Sequence, residues 1–375
     1  MLNRRTLRIK IMQSLFAFEQ CKLANHLLSQ DFIDDRFQPD LNSMEVQNKE
    51  LLSRQRKNGR ELFDRKFINP ATNGSDNIIN TCVEEALSQY HKNVKRDFTY
   101  LQKNMIQEAE DLNGLYHSVL GLLIAFGEIA VTDKKANHKN FSNNVWIKAL
   151  SENTELKKEL LQGGSWSGRM EKVRGWFKDV IKSDNLFRKF NEEVLPDLEA
   201  QKNIIKHIVR KLILGKGPIH DQYEEDVMRW AEDKDILKSL VDKTIKSFDE
   251  TTGKIEIQKL SLDWDDDKDF MLRLFTATVS LDPEYKQLIA RNTRNWDVDR
   301  LPLTDVIIIE MALAELLTFP GIPVKVSINE YIELAKEYST PKSRQFINGI
   351  LDVLSKELKS SGALKKSGRG LIDNK

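Results

Sequence analysis

The sequence contains little cysteine and little proline. Its only cysteines, Cys21 and Cys82, are far apart and form no CxxC pair, so neither a disulfide framework nor a zinc site is expected. This usage fits the reducing conditions of the cytoplasm. Nine prolines and the lack of a recurring alternation of apolar and polar residues argue against a β-rich fold. Because apolar residues return at helical spacing almost everywhere, the sequence predicts an all-α protein.

An excess of charge of one sign is also absent. The chain has 58 lysines and arginines against 57 acidic residues, for a formal net charge of +1. Such a chain has no global attraction to nucleic acid or to anionic lipid, so RNA binding would have to come from local basic patches. A length of 375 residues with 40% hydrophobic content is sufficient for two or three packed units.

No apolar run is long enough to cross a membrane. The longest, residues 119–131, spans about 13 residues and includes Glu128, whereas a membrane span needs roughly 20. The N-terminus lacks the apolar core and cleavage site of a secretory signal. These features predict a buried helix, a cytoplasmic protein and no membrane partner.

Motifs for catalysis or metal binding are missing as well. The six histidines show no HExxH or other ligand spacing, and Gly215-Lys216-Gly217 lacks the rest of a phosphate-binding loop. The acidic run at residues 263–269 lacks the glycine and closing glutamate of a calcium loop, so it is predicted to begin a helix. No nucleophile and base stand out, which predicts a protein without catalytic residues, metal or cofactor.

The first helix is predicted to be both buried and basic. Apolar residues from Leu7 to Phe18 recur on two of its sides, which is typical of a helix inside a bundle. Its first turns carry no acidic residue and contain four cations, Arg4, Arg5, Arg8 and Lys10.

The middle of the chain is less regular. Residues 25–73 are polar and include Pro39, Gly59 and Pro70, which predicts loops with short helices. From about residue 76 to residue 130 a helical pattern runs without proline. That length predicts either two long helices or one kinked helix.

The last hundred residues carry clear capping signals. Asp282 and Thr340 each precede a proline, an arrangement that predicts two helix starts. Ser327 and Glu330 have the spacing of a capping box. Residues 306–317 are apolar on nearly every face, which indicates a central helix, and a disordered basic tail is predicted after Ser360.

Several strings near the two ends of the chain resemble the NusB family of transcription antitermination factors. The strings are Asn3–Arg8, Met12–Phe18, Trp296, Arg300-Leu301, Ala312–Leu317, Ile328–Lys336, Tyr338-Ser339 and Phe346–Asp352. Together they cover roughly the first 20 residues and residues 260–358. The chain therefore resembles a long family member with a helical insertion.

This resemblance implies a NusB-like pair of helical bundles. Residues 1–22 would be the basic helix that completes a bundle, 23–258 an insertion of unknown role, 259–359 the C-terminal helical region and 360–375 the tail. The implied ligand is boxA-like single-stranded RNA, bound together with ribosomal protein NusE. The implied activity is antitermination at ribosomal RNA operons, within a complex with RNA polymerase and without catalysis.

The first half of the implied RNA site lies in the first helix. Arg4, Arg5, Arg8 and Lys10 would neutralise phosphates. Cations at a helix N-terminus oppose the helix dipole, and this mild penalty favours an RNA-binding role over a merely solvated helix end. Gln13 and Phe16 are weaker candidates, and Phe16 is interpreted first as a core residue.

The second half of the implied site is the start of the last helix. The resemblance implies RNA contact for Lys342, Arg344, Gln345 and Phe346. In addition, the free N–H groups at this helix start favour anions. A base stacked on Phe346 would contribute about 1–3 kcal/mol, which is comparable to burial of the ring in the core, so both roles stay open.

Two further residues have alternative interpretations. Asp305 corresponds to an acidic family position that contacts NusE, but it could equally stabilise a helix dipole from the first turn. Gly349 falls inside a predicted helix, where glycine costs up to about 1 kcal/mol relative to alanine. Close helix packing is the interpretation chosen for it.

Two other functions compete with antitermination. A similar helical domain precedes the catalytic domain of certain ribosomal RNA cytosine methyltransferases, but this chain has no Gly-rich cofactor loop or catalytic cysteine motif. The alternative that remains is a helical protein-interaction scaffold with weak or lost RNA binding, in which the insertion provides the working surface.

Overall fold

The computed structural model describes residues 2–42, 44, 46–133, 138–163, 165–292 and 301–374. Within these ranges the regular structure is helical, no strand occurs, and a single isolated bridge joins Asp249 to Lys254. The all-α prediction is confirmed. Trp296 and Arg300, two residues of the resemblance, lie outside the described residues.

The α-helices of the described residues are numbered in chain order. The first eight are α1 (Arg4–Arg36), α2 (Lys49–Ile68), α3 (Asn77–Thr132), α4 (Lys139–Ser142), α5 (Val145–Glu152), α6 (Thr154–Gln162), α7 (Met170–Trp176) and α8 (Asn185–Glu192). The others are α9 (Leu198–His207), α10 (Pro218–Asp226), α11 (Trp230–Lys246), α12 (Trp264–Val279), α13 (Pro283–Asn292), α14 (Leu303–Thr318), α15 (Val324–Tyr338) and α16 (Pro341–Ser360).

The chain divides into two compact units. One, here called the middle unit, contains Met1–Arg4 and Gln107–Asp267, and the other, the terminal unit, contains Arg5–Ile106 and Lys268–Lys375. The predicted insertion, residues 23–258, therefore contributes to both units.

The prediction of loops with short helices at residues 25–73 is wrong for residues 25–36 and 49–68, which belong to two long helices. Helix α1 continues to Arg36, and α2 begins after Asn48, whose side chain accepts a hydrogen bond from the Leu51 N–H at 3.0 Å. Two of the polar residues that weaken the apolar period in α1 are buried and hydrogen-bonded. Asn25 donates to Asp97 at 2.7 Å, and the Ser29 hydroxyl donates to the Asn25 carbonyl at 2.9 Å.

Gly59 allows α2 to pack closely on α1. A Cβ atom at this position would lie 2.8 Å from Cγ2 of Ile33, which is too short for two carbon atoms. Gly59 therefore belongs to a helix contact and does not mark a turn. The core around it consists of Ile33, Phe37, Leu62, Phe63, Ile79, Cys82, Val83 and Ala86.

The long pattern of residues 76–130 forms one helix, α3, of 56 residues. By length and composition α3 could cross a membrane, but 72% of its most apolar stretch is buried inside the structure. Leu120, Leu122, Leu123 and Phe126 are fully buried. The prediction of a buried helix at residues 119–131 is confirmed.

The predicted helix starts near the C-terminus are confirmed. The Glu284 N–H donates to the Asp282 carboxylate at 2.8 Å, and the Ser343 N–H donates to the Thr340 hydroxyl at 3.2 Å. Helix α14 is the central helix, because its residues from Ile307 to Leu316 are almost all buried.

The predicted capping box is wrong, and so is the predicted disorder of the tail. Helix α15 begins at Val324, so Ser327 lies inside it and is fully buried. After α16, the Ser367 N–H and the Lys366 amine donate to the carbonyl groups of Pro320 and Phe319, both at 3.1 Å. These two bonds attach the tail to the end of α14.

A buried ion pair joins α1 to α14. Arg8 is 2% exposed and Glu315 is fully buried, and the guanidinium donates two hydrogen bonds to the carboxylate at 2.7 and 2.8 Å. The hydroxyl groups of Ser327 and Tyr331 donate to the same carboxylate at 2.7 and 2.9 Å. Burial alone would lower the pKa of Arg8, but the bond to Glu315 outweighs it and the pKa is raised. The carboxylate thus holds α1, α14 and α15 together.

We expect Glu315→Gln to destabilise the protein by about 3–5 kcal/mol, because Arg8 would stay buried without a counter-charge. The measurement is urea unfolding followed by circular dichroism. Arg8→Met combined with Glu315→Met should cost less than Glu315→Gln, since it leaves no buried charge. Asp352→Asn, which breaks an exposed pair with Lys356, is the control and should cost about 0.5 kcal/mol or less. A Glu315→Gln variant as stable as this control would contradict the role of the pair.

Candidate nucleic-acid interface

A groove between α1, α15 and α16 brings both ends of the chain together in the terminal unit. Its volume is about 850 Å³. The residues that line it are Arg5, Asn329, Ile332, Glu333, Lys336, Pro341, Arg344, Gln345 and Asn348. The candidates Arg5, Arg344 and Gln345, predicted from opposite ends of the sequence, therefore lie in one place.

Arg5 is held in position by α15. Its guanidinium donates to the two carboxylate oxygens of Glu330 at 2.9 and 3.0 Å, and lies 3.9 Å from Glu333. The hydrogen bond from Arg5 lowers the pKa of Glu330 and, in return, raises the pKa of Arg5. Because the Arg5 side chain remains 38% exposed, it can still approach a phosphate without losing its support.

The first turn of α16 presents cations to solvent. Lys342, Arg344 and Gln345 are exposed, and neither Lys342 nor Arg344 forms an ion pair with a residue that the structure describes. Backbone N–H groups at a helix start favour anions, whereas cations there oppose the helix dipole. The two side chains thus add no evident stability to the helix and are available to an anionic ligand.

The two phenylalanines have opposite environments. Phe16 is 41% exposed, so its interpretation as a core residue is wrong, whereas Phe346 is 7% exposed and packs in the core. Phe16 follows Arg5 by 11 residues, about three turns and roughly 16 Å along the same face of α1. Gln13 lies between them and is half-buried. An exposed ring on the Arg5 face is suited to stack on a base.

The other three basic candidates of the first helix are not among the residues that line this groove. Arg8 and Lys10 are each 2% exposed, which runs against their expected contact with phosphate. Arg4 belongs to the middle unit and pairs there with Asp266 and, at 3.4 Å, with Asp267.

Asp305 lies in the first turn of α14 and is fully buried. The hydroxyl of Ser339 donates to one of its carboxylate oxygens, and its other oxygen has no hydrogen-bond partner among the described residues. This placement suits the dipole interpretation. A direct contact with a partner protein would require the side chain to become exposed.

Six residues that line the groove were not predicted from the sequence as RNA contacts: Asn329, Ile332, Glu333, Lys336, Pro341 and Asn348. Asn348 could have been predicted from its position, because residues three after Gln345 and four after Arg344 lie on the same face of a helix. Gly349 does not serve close packing, because a Cβ atom there would meet nothing within 4 Å. It leaves the surface of α16 open beside the groove.

Comparisons with known proteins agree with the resemblance. The model of the NusB family matches residues 228–356. The transcription antitermination protein NusB of Salinibacter ruber is 38% identical over 136 residues, which cover 85% of that protein and 35% of this chain. The chain belongs to the NusB family. The match includes α15 and α16, which form two sides of the groove.

Two other NusB relatives match over shorter stretches. The transcription antitermination protein NusB of Chloroherpeton thalassium is 44% identical over 106 residues, which are 28% of this chain and 50% of that protein. That of Natranaerobius thermophilus is 46% identical over 72 residues, which are 19% of this chain and 52% of the relative. The chain thus spans about half the length of these two proteins. No solved structure matches it.

The Arg5–Glu330 pair predicts a specific dependence on pH. Because the pKa of Glu330 is lowered in the folded protein, the pair stabilises the fold above the ordinary glutamate pKa of about 4.3 and stops doing so as pH falls through the lowered value. Carboxyl NMR should find the Glu330 titration below the ordinary range, and Arg5→Ala should move it upward. Arg344→Ala is the control and should leave it in place. An unchanged Glu330 titration in Arg5→Ala would contradict the geometry.

Proposed function

We propose that this protein is an RNA-binding transcription antitermination factor that binds boxA-like single-stranded RNA along the groove between α1, α15 and α16. The observation that carries the proposal is the convergence of Arg5, Arg344 and Gln345 in one groove. The matched relatives, named transcription antitermination proteins, support the same function.

Each part of the groove has a task in this proposal. Arg5, Lys336 and Arg344 in the groove, and the exposed Lys342 next to the lining residue Pro341, neutralise phosphates. Each cation that does so releases counterions from the RNA. The exposed amides of Gln345 and Asn348 hydrogen-bond the edges of unpaired bases, and Phe16 stacks on one base. Arg8 acts indirectly, because it fixes α1 through Glu315.

The proposal is for a binding protein in the cytoplasm and not for an enzyme. The groove presents guanidinium, ammonium and amide groups, which bind anions and base edges. The same groups in an interaction scaffold would bind RNA weakly or not at all, so direct RNA titration separates the two functions.

Ribosomal protein NusE and the RNA polymerase antitermination complex are the partners that the family resemblance implies. We keep both in the proposal. Because Asp305 is buried beside Ser339, we assign it to the start of α14 and do not make its side chain a contact to NusE.

The salt dependence of RNA binding tests the phosphate contacts. In the triple variant Arg5→Ala, Lys342→Ala and Arg344→Ala, we expect the slope of log affinity against log salt to decrease by about 2, from roughly 0.7 per phosphate contact on a single strand. The measurement is fluorescence anisotropy with a labelled boxA-like strand between 50 and about 300 mM salt.

A second triple variant is the matched control. Arg54→Ala, Lys57→Ala and Lys95→Ala remove three exposed cations of the terminal unit that do not line the groove, and the slope should not change. Equal slopes in the groove variant and the native protein would contradict the proposed contacts. Equal affinity for boxA-like and scrambled strands would exclude sequence-specific recognition, and no binding to either would favour the scaffold.

Base stacking is tested at Phe16. Phe16→Ala should weaken RNA binding by about 1–3 kcal/mol, roughly 5-fold to 150-fold, because it removes a stacking surface. The thermal midpoint should change little, since the ring is 41% exposed. Leu28→Ala, which removes a 58% exposed side chain from another face of α1, is the control and should leave affinity unchanged. A Phe16→Ala variant with native affinity would remove the ring from the site.

A further inference from the structure

The middle unit contains a cavity that the proposed RNA groove does not use. It lies between α3, residues 165–169, the end of α10 and the start of α11, and its volume is about 560 Å³. Cavities of this size bind small ligands or single side chains. All of its described lining residues belong to the middle unit.

Charged groups dominate the cavity wall. The described lining contains four carboxylates and two guanidinium groups, from Glu108, Asp111, Asp226, Asp233, Arg169 and Arg229. Arg229, just before α11, forms an ion pair with Glu108 of α3, with 2.7 Å between Nε and a carboxylate oxygen. Arg169 forms a second ion pair with Asp226, also at 2.7 Å. Because carboxylates outnumber guanidinium groups, the cavity favours a ligand of positive charge.

The rest of the wall is partly polar, through Ser118 and Ser165, and partly apolar. The apolar part is formed by Leu115, Trp166, Val227 and Met228. The Trp166 ring is fixed, since its Nε1 donates to the Ser118 carbonyl at 2.9 Å, whereas Met228 is 98% exposed. A fixed aromatic ring and an exposed thioether side chain beside carboxylates suit a cation that carries an apolar chain.

Gly114 leaves space at the wall of the cavity. It lies inside α3 and lines the cavity, and a Cβ atom there would meet nothing within 4 Å. Unlike Gly59, it is not required by contact with another part of the chain. The missing side chain leaves the backbone of α3 open to a ligand in the cavity.

We propose that this cavity binds an organic cation with an apolar chain, an alkylguanidinium or alkylammonium group. Two sources have this chemistry, a basic side chain of a partner protein and a free polyamine. In either case the charged group lies between Asp111 and the carboxylates of the two ion pairs, and the chain contacts Trp166 and Met228. This site goes beyond the proposed RNA binding, because none of its residues lines the groove.

The experiment uses the full chain and three probes, N-acetyl-arginine amide, its uncharged isostere N-acetyl-citrulline amide, and spermidine. Calorimetry gives affinity, and the indole N–H resonance of Trp166, assigned with Trp166→Phe, reports the location. We expect saturable binding of a cationic probe with a shift of that resonance, and no saturable binding of the citrulline compound. Tighter binding of the arginine compound indicates a protein side chain as the source, and tighter binding of spermidine indicates a polyamine.

Two variants and one control complete the test. Asp111→Asn should lower the affinity for the cationic probe about tenfold, because one charge-assisted contact is lost. Gly114→Leu should abolish binding of the probe, because the larger side chain fills the cavity. Glu171→Gln removes a 99% exposed carboxylate of the same unit outside the cavity and should change nothing. The proposal is overturned if no cationic probe saturates, if citrulline binds equally, or if Asp111→Asn and Gly114→Leu both keep native affinity. Unchanged RNA binding by Gly114→Leu would show that the cavity and the groove are separate sites.

Discussion

The buried pair of Arg8 and Glu315 is the interaction on which the groove depends. A charged group without water must be paired and fully hydrogen-bonded to be stable. Here both carboxylate oxygens are satisfied, by the guanidinium from α1 and by the hydroxyl groups of Ser327 and Tyr331 from α15. Because these bonds are directional, they favour one position of α1 along α14 and α15, which is here called its register.

That register decides what Arg5 does. Arg5 lies three residues before Arg8 on α1, and once Arg8 is fixed, Arg5 meets Glu330 on the surface of α15. The two arginines are chemically identical, yet one is 2% exposed and the other 38%. Burial alone thus separates Arg8, which positions the helix, from Arg5, which lines the groove. Burial likewise distinguishes Phe346, which is 7% exposed, from Phe16, which is 41% exposed.

Local patterns predicted much of the fold, because their causes are local. The helix starts at Asp282 and Thr340 follow from side-chain oxygens that accept nearby N–H groups. Ser327 and Glu330 show where local logic fails. A spacing of three residues is typical of a capping box, but it also places two side chains on one face of a helix, where they bind Glu315 and Arg5 instead.

The candidate site was predictable in part. The resemblance located its two halves, and the structure places Arg5 beside Arg344 and Gln345. The sequence shows apolar residues on two sides of α1, and the helices that pack on α1 decide which side is covered. Periodicity alone therefore could not decide whether Arg8, Lys10 or Phe16 is buried or exposed. Residues 25–36 were missed as helix because their buried polar groups find partners such as Asp97 far along the chain.

A formal net charge of +1 conceals how unevenly charge is used. The groove of the terminal unit presents Arg5, Lys336 and Arg344 with one acidic neighbour among its described lining residues, Glu333. The cavity of the middle unit has the opposite balance, with more carboxylates than guanidinium groups. Composition averages these surfaces to near zero, and at physiological ionic strength each acts only within about 8 Å. Ligands of opposite charge can therefore select different surfaces of a nearly neutral chain.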